Sequence, residues 1–368
     1  MNLVTPYREA DAIKRLQVAI KKAIEVLGKP LRVMEFCGGH THAIMKHGID
    51  QLLEGYVKFI HGPGCPVCVL PMGRVDLALA LAEREDVILC TYGDVMRVPG
   101  SKRKSLKDLR AEGKDVRSLY SCLDALRIAE ESPQKNVVFF AIGFETTTPQ
   151  TAVLIKKARD MGLKNLSVVS NHVLTPEVLR YLLEGPELKV DAIIGPGHVS
   201  TIIGTLPYES VVKTHSKPIV ISGFEPLDLM QAVYMIVRQF LEGRALVENQ
   251  YKRAVDREGN TKALRLMEEV FEVRESFEWR GLGSVPRSAL KIRSEFEEFD
   301  AERRFSFKLP VRREHPSCIC GEVIKGLAEP TQCKLFGDPC NPSNPVGSCM
   351  VSSEGACNAY YRYKRTNP

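Results

Sequence analysis

The chain has 368 residues, 44% hydrophobic and 26% charged, with a formal net charge of +6. That length predicts roughly two or three folding units, and the small positive excess, scattered among acidic residues, argues against a nucleic-acid partner. No apolar run approaches the ~18 residues of a membrane span, and the opening MNLVTPYREADAIKRL turns charged before a signal core can form, so no membrane partner and a cytoplasmic location are expected.

Cysteine is the unusual count. Eleven is an odd number in a chain expected to meet a reducing cytosol, where structural disulfides are disfavoured and metal binding or thiol redox chemistry is the leading class. The first predicted strand, LRVMEF, ends at Cys37, followed by Gly38, Gly39, His40, His42 and a helical pattern. Bare glycine backbone and a helix start predict amide groups facing the sulfur and a lowered thiol pKa. Cys37 is then a nucleophile or soft-metal ligand, with His40 as proton donor or second ligand.

The next strand, YVKFIHG, runs into GPGCPVC, where Cys65 and Cys68 form a CxxC pair. Such a pair serves a thiol/disulfide couple or half a zinc site, and Cys37, Cys65, Cys68 and His40 make a Cys3His set if the loops meet. The proline inside the pair and the lone third thiol favour redox work. Cys90 ends the strand DVILC and Cys122 falls on an apolar helix face, so both read as core. The basic cluster SKRKSLKDLR reads as a solvated loop leading into a helix.

Four further strands, NVVFFAIG, LSVVSN, DAIIGPG and PIVISG, alternate with helical stretches, which predicts α/β architecture with open parallel sheets. Thr148 before Pro149, and Thr175 before Pro176 and Glu177, read as capping hydroxyls. Three strand–loop–helix units recur in each half, so two similar Rossmann-like domains facing a cleft are expected, at residues 1–117 and 118–225. Parallel sheets bind ligands beyond the carboxyl ends of their strands, and His40, His42, His61, His172 and His198 all belong to such loops.

Residues 226–368 are expected to form a mostly helical, cysteine-rich third domain. DLMQAVYMIVRQFLEG reads as a buried helix, and the tail carries Cys318, Cys320, Cys333, Cys340, Cys349 and Cys357. Their spacing matches neither paired zinc knuckles nor the consecutive ferredoxin run. Six thiols exceed the four of one iron–sulfur cubane and leave two for a dithiol relay. No P-loop and no GxSxG motif is present.

With EFCGGHTHAIMKHG, HGPGCPVCVLPMGRVD, GFETTTPQTA, SNHVLTPEVL, GPGHVSTIIG and the six-cysteine tail in one order, the chain resembles the HypD family of [NiFe]-hydrogenase maturation factors over essentially its whole length. The resemblance implies an assembly scaffold rather than a conventional turnover enzyme. It implies that, paired with HypC, the chain holds the iron on which two cyanides and one carbon monoxide are assembled as Fe(CN)2CO. Cyanide then comes from HypE, made with HypF, and the finished group passes to the hydrogenase large subunit. By the same resemblance Cys37 is the thiolate on that iron with His40 close by, and Cys65 and Cys68 are a redox couple in the cleft. A [4Fe-4S] cluster falls on Cys318, Cys333, Cys340 and Cys357, leaving Cys320 and Cys349 as a redox pair beside it. Glu145 and Thr146, at a facing strand end, are expected to position the cyanide donor or HypC. An iron–sulfur-dependent protein disulfide reductase and a structural zinc protein are the competing readings.

Overall fold

The computed structural model describes residues 5–307 and 315–364. Nine strands build two parallel sheets: β1 Leu31–Glu35, β2 Val57–His61, β3 Val87–Tyr92, β4 Val116–Leu119, β5 Asn136–Gly143, β6 Leu166–His172, β7 Ala192–Pro196, β8 Ile219–Ser222 and β9 Val247–Asn249. The first sheet has the order β2-β1-β7-β8-β9 and the second β4-β3-β5-β6, with every neighbouring pair parallel. Helices cover both faces, so β5 and β6 are buried almost throughout, and their near-continuous apolar runs follow from that.

Two α/β sheets are present, but they do not divide at the expected boundaries. The chain leaves the first sheet after β2, builds the whole second sheet from β3 to β6, and returns with β7 beside β1. A cut between residues 117 and 118 falls inside β4. The third expected domain is also shared out. Helix Pro226–Leu241 packs with helix Ala10–Leu27 over the first sheet, and helix Thr261–Val270 packs on helix Thr148–Asp160 over the second. An apolar strand followed by a helix reads the same whichever sheet it joins, which is why the cadence concealed the exchange.

The C-terminal part is mixed rather than mostly helical. Strands β10 Phe271–Val273 and β13 Leu290–Ile292 pair antiparallel, as do β11 Ser276–Trp279 and β12 Gly283–Pro286. The tail continues in turns and short helices to helix Ala356–Tyr363, which packs on helix Gly38–Lys46 at the end of β1. Among the described residues no helix is long and apolar enough to cross a membrane.

Thr148 and Thr175 prove to be the first residues of their helices, not the caps. The Thr148 hydroxyl donates back to the Phe144 carbonyl at 3.0 Å. Thr175 donates its amide to Glu145 Oε1 at 2.8 Å and its hydroxyl to Oε2 at 2.9 Å. Glu145 thus caps helix Thr175–Glu184 from another chain segment, as a carboxylate at a helix N-terminus does. It is only 2% exposed, and burial pushes its pKa up to about 7 against those hydrogen bonds. Because the folded pKa lies above the unfolded one, the folded state holds the proton more tightly, and stability falls as pH rises from about 4.5 to about 7. The expected outcome is that Glu145→Gln gains on the natural chain by up to about 3 kcal/mol between about pH 5 and about pH 8 in urea unfolding. A gap independent of pH contradicts the assignment.

Candidate functional site

The site is built on the last residue of β1. Glu35 is fully buried, and its carboxylate accepts the Cys37 amide at 3.1 Å, the Thr41 hydroxyl, and His61 Nδ1–H at 2.8 Å. Burial pushes the Glu35 pKa up, with His61 opposing it. The second nitrogen of His61 accepts the Tyr360 hydroxyl at 3.2 Å, which ties β1, β2 and the C-terminal helix into one polar chain. Cys37 is held in extended backbone as the cap of helix Gly38–Lys46.

The sulfur faces a cavity of about 460 Å³ between the strand ends of the two sheets. Pro66 and His198 line it from the first-sheet side, Tyr92, Thr146 and Thr147 from the second, and Glu354 from the tail. Among the described residues Cys37 is the only cysteine in its wall, and Tyr120 stands fully exposed at the rim. The expected cleft is therefore present. The expected low thiol pKa is not: loss of water around the sulfur, together with the Glu354 and Glu35 carboxylates, pushes the Cys37 thiol up. The amides of Gly39 and His40 do point at the sulfur, as the glycine pattern predicts, but two amide dipoles are outweighed by that burial.

The imidazole beside the sulfur is His198, with Nδ1 3.9 Å from Cys37 Sγ. His40 is fully buried, donates Nε2–H to the Ser222 carbonyl at 3.0 Å, and is pushed down to about 4 by burial. Of the other strand-end histidines, His42 reaches the Ser353 carbonyl and His172 is sealed against Thr151, so neither joins the cavity wall. Thr146 lines the Cys37 cavity, whereas Glu145 opens on a separate one of about 370 Å³.

Cys65 and Cys68 are joined as a disulfide in the short helix-opening turn after β2, each 3% exposed. The tail clamps this turn. Ser348 Oγ–H donates to the Cys68 carbonyl at 3.0 Å, and Arg280 donates to the Val69 and Leu70 carbonyls at 2.8 and 2.7 Å. Cys65, Cys68 and Cys349 share a small buried cavity, and Glu354 borders both this and the Cys37 cavity. The Cys3His set is not assembled, because Cys65 is bonded to Cys68 and His40 to Ser222.

Four of the tail thiols form one chain of contacts. Cys320 is in hydrogen-bond contact with Cys318 and Cys349, and Cys349 with Cys357. Cys340 Sγ accepts the Val346 amide at 3.3 Å, and the Cys333 thiol donates to the Ser317 carbonyl at 3.8 Å. Among the described residues, no three His, Cys, Asp or Glu side chains form a ready single-ion site. Cys90 and Cys122 are fully buried in the second sheet's core, as expected, although Cys122 lies in the turn before helix Asp124–Glu131 rather than on it.

Sequence reasoning grouped His198 with the strand-end histidines but did not pair it with Cys37. The signal was there, because β7 neighbours β1, yet that adjacency is not legible locally. Glu354 had no signal at all, since only the tail's path brings it to the cavity.

A family model described as "HypD: Hydrogenase formation hypA family" matches residues 11–364. The hydrogenase expression/formation protein HupD of Azotobacter chroococcum mcd 1 is 56% identical over 370 residues, covering 99% of this chain and 97% of that protein. The hydrogenase maturation factor HypD of Azotobacter vinelandii is 54% identical over 370 residues, with 99% and 97% coverage. That of Escherichia coli K12 is 46% identical over 369 residues, with 99% of each chain covered. Family model and full-length relatives agree, and the chain belongs to the HypD family of hydrogenase maturation factors.

Proposed function

We propose that this chain is the scaffold on which, together with HypC, an iron ion is held while two cyanides and one carbon monoxide are attached to it. Cyanide arrives from HypE, made with HypF, and the finished Fe(CN)2CO group leaves for the hydrogenase large subunit. The iron is cargo, not a resident cofactor. The observation that carries this reading is the cavity between the sheets, in whose wall Cys37 is the only cysteine among the described residues. A soft thiolate suits an iron made low-spin by strong-field ligands. Metal binding offsets the burial that raises the Cys37 thiol, because a coordinated thiol is deprotonated by the cation's own charge.

The thiol pairs supply reducing equivalents. Cys320 and Cys349, both free thiols in mutual contact, suit exchange with the Cys65–Cys68 disulfide. One S–S bond breaks as the other forms, and two thiol protons pass from the first pair to the second. The shared cavity of Cys349 with Cys65 and Cys68 supports this route.

Cys318, Cys333, Cys340 and Cys357 would hold a [4Fe-4S] cluster, and the donor set fits thiolate ligation. A Cβ on Gly347 would stand 2.8 Å from Cys318 Sγ and 3.7 Å from Cys320 Sγ, so the backbone is bare where the thiols gather. When bound, such a cluster supplies electrons singly. A general disulfide reductase is disfavoured because Cys65 and Cys68, 3% exposed, lie out of reach of a protein substrate.

Infrared spectra of the chain purified anaerobically with HypC test the cargo reading. Cyanide and carbonyl stretches are expected from the natural chain and from Cys90→Ala, and none from Cys37→Ala; undiminished bands in Cys37→Ala refute it. The exposed Tyr120 at the rim is the expected anchor for HypC, since tyrosines at interface centres carry large shares of binding energy. Calorimetric titration should show Tyr120→Ala weakening HypC binding by about 30-fold, or about 2 kcal/mol. An unchanged affinity puts HypC elsewhere.

A further inference from the structure

Strands β1, β7 and β8 are adjacent in the first sheet, and the segment after each sends one ring to the same place: His40 and His198 from helix starts and Phe224 from a turn. Phe224 stacks on His198 with centroids 3.8 Å apart and planes 24° from parallel, and on His40 at 4.7 Å and 28°. Tyr251 meets its edge at 6.0 Å and 89°.

The backbone makes room for this stack. The residue before each histidine is glycine, and a Cβ on Gly39 would lie 2.9 Å from Phe224 Cε1. One on Gly197 would lie 2.3 Å from the Ser222 carbonyl oxygen and 3.1 Å from Phe224 Cε2. His198 itself is exposed towards the cavity. Among the described residues its ring has one hydrogen-bond contact, with Cys37 Sγ, and one aromatic contact, with Phe224. The stack on Phe224 sets the plane of the ring in which Nδ1 faces the sulfur.

We infer that Phe224 is a positioning residue: stacked on His198, it holds Nδ1 towards the Cys37 sulfur, and His198 hydrogen-bonds that sulfur. In the iron-free chain the thiol donates to Nδ1. On the scaffold reading proposed above, the thiol proton passes from Sγ to Nδ1 as the sulfur takes the iron, and Nδ1–H then donates to the thiolate. Such a bond draws electron density from the sulfur and tunes what reaches the metal.

The first measurement does not depend on the scaffold reading. In infrared spectra of the full iron-free chain, the Cys37 S–H stretch is identified by its loss in Cys37→Ser. His198→Ala is expected to move that stretch to higher wavenumber. Phe224→Leu, which keeps apolar bulk and removes the flat ring, is expected to produce the same shift, and the double variant no more than either alone. A shift in His198→Ala with none in Phe224→Leu overturns the positioning role, and no shift in either overturns the hydrogen bond. In the complex with HypC both variants should lower the carbon monoxide stretch, because a thiolate relieved of its hydrogen bond gives more density to iron; an unmoved stretch overturns the part of the inference that concerns bound iron. If the natural complex shows no such stretch, the scaffold reading fails, and the S–H shifts alone decide the role of Phe224.

Discussion

The arrangement depends on one buried carboxylate. Glu35 sits where β1 ends, and it gathers the amide of the next-but-one residue, a hydroxyl from the first turn of the following helix, and an imidazole from β2. A buried carboxylate is costly unless its oxygens are satisfied, and leaving any of its three donors without it would cost about 1–3 kcal/mol each. The strand end, the helix start and the neighbouring strand therefore adopt one mutual geometry, and Cys37 lies in the middle of it. Through His61 the same chain reaches Tyr360, so the tail is locked to the site by the same interaction.

Interleaving of the two sheets gives that geometry its surroundings. The chain crosses to the second sheet after β2 and crosses back before β7, so the strand ends of both sheets border a common space. Each side contributes a different chemistry. The first sheet brings sulfur, imidazole and the CxxC turn, the second brings hydroxyls and an aromatic rim, and the tail brings Glu354 and Cys349 to the two adjoining cavities. Loss of water around the sulfur and the nearby carboxylates push the Cys37 thiol up, so burial outweighs the amide groups of the helix start.

Much of this was legible in the sequence because parallel strands and their loops carry local signatures. The apolar runs, the glycine-rich turns, Cys37 at a strand end and the CxxC pair all follow from patterns a few residues long. What escaped depends on contacts between distant segments. The order of strands is settled by which helix faces bury together, and the unbroken strand–helix alternation from β1 to β8 hid the crossover. The thiol pKa was misjudged because local amides are visible in a motif, whereas desolvation and the carboxylate of Glu354 are not. His40 and His198 look alike in sequence, and only the adjacency of β1 and β7 decides which one meets the sulfur. Glu145 reads as a candidate polar group, yet it closes a helix start thirty residues away.

The most direct test of the central claim, that Glu35 fixes Cys37 at the cavity wall, is the rate at which iodoacetamide alkylates each cysteine of the native, iron-free chain, followed by peptide mass spectrometry. Glu35→Ala is expected to accelerate modification of Cys37 many-fold while Cys90 and Cys122, in the separate core of the second sheet, stay protected. A Cys37 rate unchanged from the natural chain, with those two cysteines still protected, would contradict it.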